Sequence, residues 1–509
     1  MVYENYQDKN EVLAMKKKMP ILRKLIFYIL FVFLWGPALT IPCRADPATI
    51  SDAEVVATNW INLIIHNRGD WGGSASAAVK DIKQLKRGDR PLGYFCQVSP
   101  QGYVVISLLK ELAPVTDFSY DSNLDPDMDE GLADLIKDCI ERTLDAIEKH
   151  AGPIETATTE ELQRILPTSH KDAWAQLQAD SQVFQESLAS IEPMTNYQQG
   201  QELLTSRWHQ FYPYNMWCPT PPGGSGCTEN NCTVGCVGLS ACEIMRYWNW
   251  PPYGTVAPYN NQYGWWFMPD KAYSNSPVSV KVAVAELCSE VADAILSDYC
   301  VAGGCETGSN FTKVKNAIEA YFRYATASPE LFRVNYTNEA WFNIIKGQLN
   351  INRPVQYSYP GHAIVADGWM EVWPGPERWL HLCYGFVNEG NTDWHLLEAI
   401  PGGGETTDVI MINIYPAPAL GSSPSGGYAV PSFPYRYFDR DCTSSNAVFQ
   451  AGHNLQSLPN ISVRSTGTIK FQGTTTNKSR LFTRGDTSNG IRIDNGGVSL
   501  YAGGSLKLY

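Results

Sequence analysis

The feature that most constrains this chain is a glycine followed directly by a cysteine at the start of an amphipathic helix. The stretch Thr233-Val-Gly-Cys-Val-Gly-Leu-Ser-Ala-Cys-Glu-Ile-Met-Arg-Tyr-Trp-Asn-Trp-Pro-Pro252 repeats apolar residues with a helical period of about 3.6 and ends in two prolines. Cys236 is therefore expected on the first turn of a buried helix, where backbone N–H groups and the helix dipole favour an anion. A thiol there is expected to have a lowered pKa and to act as a nucleophile, although most cysteines at helix starts are only packed thiols.

A histidine further along the chain supplies a candidate base. The stretch Arg353-Pro-Val-Gln-Tyr-Ser-Tyr-Pro-Gly-His-Ala-Ile-Val-Ala-Asp-Gly368 predicts a strand, a tight turn, a second strand and a turn, with His362 at the head of the second strand. An imidazole at a strand edge can lie against a thiol at a helix start, which gives the nucleophile–base pair that acyl transfer needs. The alternative is a histidine that only caps a strand end.

A third segment precedes the cysteine by a short glycine-rich loop. It reads Thr205-Ser-Arg-Trp-His-Gln-Phe-Tyr-Pro-Tyr-Asn215. The side-chain amide of Gln210 could donate, beside the Cys236 backbone N–H, to the oxyanion of a tetrahedral intermediate. Outside that context Gln210 would be an ordinary surface amide.

These blocks occur together in one known family. Trp-x-Gln-x-x-Pro-Tyr-Asn, Gly-Cys-Val-x-x-x-Ala-x-x-Ile-Met-x-Tyr, Arg-Pro-Val-x-Tyr and Gly-His-Ala-x-Val-x-Asp-Gly follow one another within residues 195–415. In this order they resemble the streptopain family of cysteine peptidases. The resemblance implies a papain-like fold, a Cys236–His362 dyad, Gln210 as the oxyanion donor and synthesis as a zymogen with an inhibitory prodomain. The implied mechanism requires no metal or organic cofactor.

The chain departs from the family after the histidine strand. Family members carry a segment resembling His-Leu-Asn-Trp-Gly-Trp-Gly-Gly, whose asparagine bonds the imidazole and whose aromatic residue shields that bond. Here the segment is His381-Leu-Cys-Tyr-Gly-Phe-Val-Asn388, so Cys383 takes the asparagine position and Tyr384 the aromatic one. Because a thiol is a weak hydrogen-bond partner, a slow but real peptidase is expected, in which Cys383→Asn raises kcat about tenfold. The rival interpretation is a catalytically impaired peptidase-fold protein that binds peptides or a cell surface.

The pattern along the chain predicts an α+β protein of several parts. Residues 46–153 resemble the family's inhibitory prodomain, with an independent binding module as the alternative, and residues 154–194 form a polar connector suited to processing. The catalytic domain spans 195–415, and a Pro/Gly/Ser-rich linker occupies 416–432. Residues 433–509 contain short glycine-punctuated strands that resemble β-solenoid rungs or a small β-sandwich. This small all-β domain is a candidate for docking to a surface or to the secretion machinery.

The first 45 residues predict export. Basic residues precede the apolar run Leu25–Trp35, and small and polar residues lead to a cleavage site after Ala45. An uncleaved anchor and a lipoprotein attached at Cys43 are the alternatives. The expected location is therefore secreted or at the cell surface.

The net charge limits the classes of partner that are expected. A net charge of −13 argues against nucleic acid, because phosphate binding needs clustered Lys and Arg. Protein or peptide substrates and the chain's own prodomain are the expected partners.

Thirteen cysteines fit an oxidising compartment. Disulfides are expected between Cys300 and Cys305 and among Cys218, Cys227 and Cys232. A structural zinc site in the same cysteine cluster, which also includes Cys236 and Cys242, is the rival interpretation.

Overall fold

The described part of the chain covers the two predicted central domains. The computed structural model describes residues 45–154, 156–166, 170–190, 202–251, 253–260, 263–326, 328–359, 361–372, 377–387, 392–397 and 408–416. Beyond residue 416 it describes the backbone of nine short strands between 428 and 501. The predicted signal peptide lies outside the described residues except for Ala45.

The N-terminal part is an antiparallel meander with a helix on each face. Its elements are α1 (Ile50–Arg68), β1 (Ala78–Arg87), β2 (Arg90–Ser99), β3 (Tyr103–Ser107), β4 (Val115–Ser119) and α2 (Gly131–Ala151). Helix α1 begins at a capping box, in which Thr49 and Asp52 exchange hydrogen bonds, and ends at the left-handed Gly69. The α1 core takes in Tyr94, Val104 and Phe118 from one face of the sheet, and the α2 core takes in residues of the other face.

Three short helices follow in the predicted connector: α3 (Thr159–Ile165), α4 (Lys171–Leu177) and α5 (Ser181–Leu188). The connector is not merely a polar tether, since Trp174, Leu177, Phe184 and Leu188 are buried in the same core as α1. The first cutting point for processing is therefore expected beyond α5.

The catalytic part alternates helices with a second group of strands. Its elements are α6 (Cys236–Trp248), α7 (Val278–Ala294), α8 (Phe311–Ala320), β5 (Glu330–Phe332), α9 (Asn338–Leu349), β6 (Val355–Tyr359), β7 (His362–Val372), β8 (Glu377–Cys383), β9 (Thr392–Leu396) and β10 (Val409–Met411). Helix α6 packs with α7 and α8 in one core, to which the start of β7 contributes Ala363 and Val365. The mixture of helices with an antiparallel sheet confirms the α+β class.

One continuous sheet joins the N-terminal part to the catalytic part. The sequence did not predict this shared sheet. The strand order is β1-β2-β3-β4-β9-β8-β7-β6-β10-β5, ten strands in all. Prodomain strand β4 pairs antiparallel with catalytic strand β9, so that Phe118 lies opposite Trp394 and Asp117 opposite His395. The prodomain therefore covers an edge that the catalytic sheet would otherwise expose.

Buried polar contacts reinforce this junction. Asp117 accepts a hydrogen bond from His395 Nδ1 in a fully enclosed pair. The Trp394 indole N–H donates to the Tyr120 hydroxyl at 2.9 Å. Such contacts specify one docking geometry, because an unpaired buried partner would be costly.

Most of the described C-terminal strands pair in parallel. The structure describes β11 (Tyr428–Ala429), β12 (Tyr435–Phe438), β13 (Cys442–Ser444), β14 (Ala447–Phe449), β15 (Asn454–Ser457), β16 (Val463–Ser465), β17 (Ile469–Gln472), β18 (Arg480–Phe482) and β19 (Val498–Tyr501). The parallel ladders are β12-β15-β18, β13-β16 and β14-β17-β19, and β11 pairs antiparallel with β12. This pairing fits the predicted solenoid and not the sandwich, whose strands would be antiparallel.

Candidate active site

Gly235 fixes the start of the catalytic helix. Its φ of +85° is unfavourable for other residues, and a Cβ at this position would lie 2.6 Å from the Thr307 carbonyl oxygen. Helix α6 consequently begins at Cys236, as predicted, and ends at Trp248, where Asn249 adopts a left-handed conformation.

Cys236 lies against the beginning of strand β7. The backbone N–H groups of Ala363, Val237 and Cys236 itself lie close enough to the Sγ atom to lower the pKa of the thiol. Because Ala363 directly follows His362, the first turn of α6 and the first residues of β7 meet at this point. The two elements that carry Cys236 and His362, which are 126 positions apart in the sequence, therefore meet at this point.

A backbone carbonyl orients the histidine. The distance from His362 Nε2 to the Tyr384 carbonyl oxygen is 2.7 Å. A carbonyl can only accept, so Nε2 carries the proton and Nδ1 of the neutral ring is left as the basic nitrogen. The imidazole therefore has the tautomer that a general base requires.

An aromatic ring covers this hydrogen bond. Phe386 stacks on the His362 imidazole with ring centroids 4.7 Å apart and planes 6° from parallel. The Tyr384 ring is turned away from that role, since its hydroxyl donates to Asp393 Oδ1 at 2.9 Å. Phe386 thus occupies the shielding position that the sequence assigned to Tyr384.

Cys383 occupies a different place from the one expected. It is buried on β8 opposite Val365 and belongs to a cluster with Asp367 and His381. The prediction assumed that a side chain at the asparagine position bonds the imidazole, whereas the main chain of the next residue does so here. In this structure the Tyr384 carbonyl makes the contact that was expected from the side chain of residue 383, and the effect of Cys383→Asn on kcat stays a prediction.

The cluster around Cys383 is already internally paired. Asp367 accepts from His381 Nδ1 at 2.6 Å through one oxygen and from the Leu204 backbone N–H at 2.8 Å through the other. Burial lowers the pKa of the Arg207 guanidinium, but the neighbouring Cys383, Asp121 and Asp367 raise it by more. These side chains act as a buried anchor for the segment that leads to Gln210.

Gln210 lies beside the loop that precedes the nucleophile. Its backbone carbonyl accepts from the Val234 N–H at 3.1 Å, two residues before Cys236. Two residues earlier, Trp208 N–H donates to Glu243 Oε1 of α6 at 3.1 Å. Burial raises the pKa of Glu243 to about 8, so this carboxyl is mostly protonated near pH 7. Its hydrogen bond to Trp208 holds the segment against α6.

Sequence reasoning missed a second tether of the catalytic helix. The side chain of Gln356, fully buried on β6, donates to the Val237 carbonyl at 3.0 Å and to Ser240 Oγ at 2.8 Å. Ser240 Oγ in turn donates to the Cys236 carbonyl at 2.8 Å. A glutamine within the otherwise apolar strand pattern Val355–Tyr359 was the available signal.

The disulfides differ from those expected. Cys227 is bonded to Cys305 and Cys232 to Cys300. The predicted Cys300–Cys305 bond is wrong, because these two cysteines each bridge to the loop before Cys236. Both bonds fasten that loop to one neighbouring segment, and their formation uses cysteines that the zinc interpretation needed.

The charge state of the pair also differs from the prediction. Burial raises the pKa of Cys236 in spite of three N–H donors that lower it. Burial also disfavours the charged form of His362 and lowers its pKa to about 4. Burial in this structure therefore favours a neutral thiol and a neutral imidazole, which is opposite to the thiolate expected from the helix position.

The prodomain approaches the histidine through Phe386. A Cβ at Gly131, the first residue of α2, would lie 3.8 Å from the Phe386 ring. A cavity of about 550 Å³ is lined by Phe386 together with prodomain residues of β1, β2 and the 123–133 segment. The prodomain thus lies over the ring that stacks on His362.

Two family models match the chain in the same places. Residues 208–393 match the peptidase C10 family, and residues 45–143 match the Spi protease inhibitor. The first region contains Cys236 and His362, and the second contains the meander and most of α2.

The chain is also similar to known thiol proteases. The chain is 24% identical to the thiol protease/hemagglutinin PrtT of Porphyromonas gingivalis over 77% of its own length and 44% of that protein's. It is also 24% identical to streptopain of Streptococcus pyogenes, over 66% of this chain and 83% of streptopain. A fragment of Prevotella intermedia prointerpain A aligns with 66% of this chain and 99% of its own, at 18% identity and a TM-score of 0.44.

The chain spans less than half of PrtT but most of streptopain. The matched regions follow one another as inhibitor and peptidase, in the order in which the structure places the meander before the Cys236–His362 site. The chain therefore belongs to the streptopain (peptidase C10) family of cysteine peptidases and carries an N-terminal Spi-type inhibitory prodomain.

Proposed function

We propose that this protein is an exported cysteine endopeptidase in which Cys236 is the nucleophile and His362 the general base. The observation that carries the proposal is the meeting of α6 and β7, where the Ala363 backbone N–H lies close enough to Cys236 Sγ to lower the pKa of the thiol. The 2.7 Å hydrogen bond from His362 Nε2 to the Tyr384 carbonyl also supports the proposal, because it leaves Nδ1 free of a proton and able to act as the base.

The proposed reaction begins with proton transfer from the Cys236 thiol to His362 Nδ1. The thiolate then attacks the scissile carbonyl, while the Gln210 amide and the Cys236 N–H stabilise the oxyanion. His362 returns the proton to the leaving amine, and water hydrolyses the thioester with His362 acting again as base. Every proton in this scheme moves through His362, and no cofactor enters it.

We propose that the prodomain contributes to the burial of Cys236 and His362, which gives a measurable pH dependence. Thiolate is the reactive form, and the raised pKa of Cys236 lowers its fraction at neutral pH. In the full chain, the rate of Cys236 alkylation by iodoacetamide should therefore rise about tenfold per pH unit from pH 6 to 8. After prodomain removal, solvation and the Nδ1 proton acceptor should favour the ion pair, and the rate should level off at lower pH.

Stopped alkylation followed by peptide mapping measures these rates. A Cys236→Ala chain corrects for the other thiols. A rate plateau below pH 7 in the full chain would show that the ion pair already exists beneath the prodomain and would refute this account of the zymogen.

Phe386 is proposed as a positioning residue for His362. Phe386→Ala should lower kcat about five- to thirtyfold, because it removes the stacked ring and lets water compete for the bond to Tyr384. The effect should fall on kcat more than on KM, and Phe386→Trp should restore most of it. Equal losses in Phe386→Ala and Phe386→Trp would contradict a role based on stacking.

A measurement of kcat also tests whether the Cys383 side chain helps to orient His362. Because its side chain lies in the Asp367–His381 cluster, Cys383→Ala should change kcat less than about threefold. The catalytically impaired alternative depended on Cys383 as the orienting group, and the Tyr384 carbonyl supplies that function instead. We therefore favour an active enzyme.

Export and the outer domains complete the proposal. Export is supported by the basic and apolar pattern before Ala45 and by two disulfides, which persist in oxidising compartments. None of the helices that the structure describes is long and apolar enough to span a bilayer. Maturation is proposed between α5 and the catalytic part, and docking through residues 433–509 stays a prediction.

A further inference from the structure

The catalytic helix and its neighbour carry a pair of buried thiols that the proposed reaction does not use. Cys242 lies on α6 and Cys288 on α7, and the structure has both as free thiols that are fully buried within one core. The two thiols are close enough that Cys242 raises the pKa of Cys288. Cys242 Sγ also lies 4.0 Å from the carbonyl oxygen of Leu287, the residue before Cys288.

The register of the two helices explains this contact. One turn before Cys242, a Cβ at Gly238 would lie 3.7 Å from both Cα and Cβ of Ala292. Ala292 is one turn after Cys288, so the two pairs lie at successive levels of an antiparallel helix contact. The absence of a side chain at Gly238 lets the helices approach closely, and this brings the sulfur atoms together.

We propose that Cys242 and Cys288 form a third disulfide that links the catalytic helix α6 to α7. The same domain already contains Cys227–Cys305 and Cys232–Cys300, so it folds where a disulfide oxidant is available. In the exchange, one disulfide of the oxidant breaks and the Cys242–Cys288 bond forms. The two cysteines lose two protons and two electrons, and the oxidant is released as two thiols.

A third thiol makes the pairing specific enough to test. Cys218 is buried in the same core and lies near Cys288, but its thiol is engaged with Tyr299. Cys218 is therefore expected to remain reduced. The free cysteines of the prodomain, Cys96 and Cys139, are buried outside the core that holds Cys242 and Cys288 and serve as internal controls for incomplete oxidation.

The bond would stabilise the element that begins with the nucleophile. It would close a loop of some 45 residues in the unfolded chain, which reduces the entropy gained on unfolding. Complete burial would protect it from the mild reductants that keep Cys236 reduced. The catalytic helix would then stay fastened under conditions in which the enzyme is active.

The test uses the full chain with Cys236→Ala, which cannot cleave itself and so does not depend on the proposed catalysis. The protein is purified without reductant, incubated with oxidised glutathione, alkylated in denaturant and digested. Peptides containing Cys242 and Cys288 should be recovered as one linked species that separates on reduction. Recovery of both as alkylated thiols, or of Cys218 linked to either, would overturn the proposal.

A double-mutant cycle of melting temperatures distinguishes a Cys242–Cys288 disulfide from two packed thiols. If the disulfide exists, Cys242→Ala, Cys288→Ala and the double variant should each lower Tm by a similar amount, roughly 5–10 °C. Two independently packed thiols would instead give losses that add in the double variant, which would refute the bond. Cys96→Ala controls for the loss of one buried thiol.

Discussion

Cys236→Ala is expected to abolish peptide hydrolysis, with a loss in kcat/KM of at least about a thousandfold and up to a millionfold. The reason is that no neighbouring group can form the thioester, while the oxyanion donors alone give only a small residual rate. The fold should be unchanged, since alanine retains the Cβ and Cys236 takes part in no disulfide. Hydrolysis of a fluorogenic peptide by chains lacking residues 46–193 measures the effect without a need for self-processing.

Cys218→Ala is the matched control, because it removes another unpaired thiol of the same domain core. It should retain activity within about threefold of the parent. Residual activity of the Cys236→Ala chain above about one part in a thousand would place the nucleophile elsewhere.

Removal of residues 46–193 is expected to raise activity about a hundredfold or more relative to the uncut chain, given the affinity of a large, well-packed interface. The prodomain continues the catalytic sheet through β4 and β9 and lies over Phe386, which stacks on His362. The separate 46–193 fragment should therefore also inhibit in trans, with Kd on the order of 10⁻⁸ M or below.

The strand junction provides a sharper variant of this experiment. Phe118 is buried on β4 against Trp394 of β9, with stacked rings 6.2 Å apart. A Phe118→Asp fragment should lose most of its inhibition, because it places an unpaired charge in that junction. Glu54→Gln, at an exposed position of α1, is the control and should inhibit like the parent fragment. Equal activity of the uncut and truncated chains would show that the N-terminal part does not inhibit.

The elements that carry the reacting side chains could be predicted because their signals are local. Gly235 and the prolines after Trp248 bound α6, and the glycine before His362 marks the start of β7. The peptidase family and its prodomain were likewise indicated by motifs whose order is visible in the sequence. Each of these signals lies within about twenty residues, where period and turn chemistry determine structure.

The groups that tune the site could not be predicted in the same way. The acceptor for His362 is a main-chain carbonyl, which any residue at position 384 would provide. The disulfide partners and the β4–β9 pairing depend on chain segments more than 60 residues apart, which no local pattern specifies. Burial raises the pKa of Cys236, whereas its position at a helix start predicts a lowered one, and burial is not visible in a local sequence pattern.

Trapping with a peptidyl inhibitor that carries a thiol-reactive group tests the central claim most directly. The full chain and the chain lacking residues 46–193 are treated in parallel at pH 7, and the modified cysteine is found by peptide mapping. The truncated chain should be labelled at Cys236 alone, with the label lost on heat denaturation before treatment, and the full chain should be labelled far more slowly. Label on any other cysteine, or no label on Cys236 in a folded truncated chain, would contradict a Cys236–His362 peptidase held inactive by its prodomain.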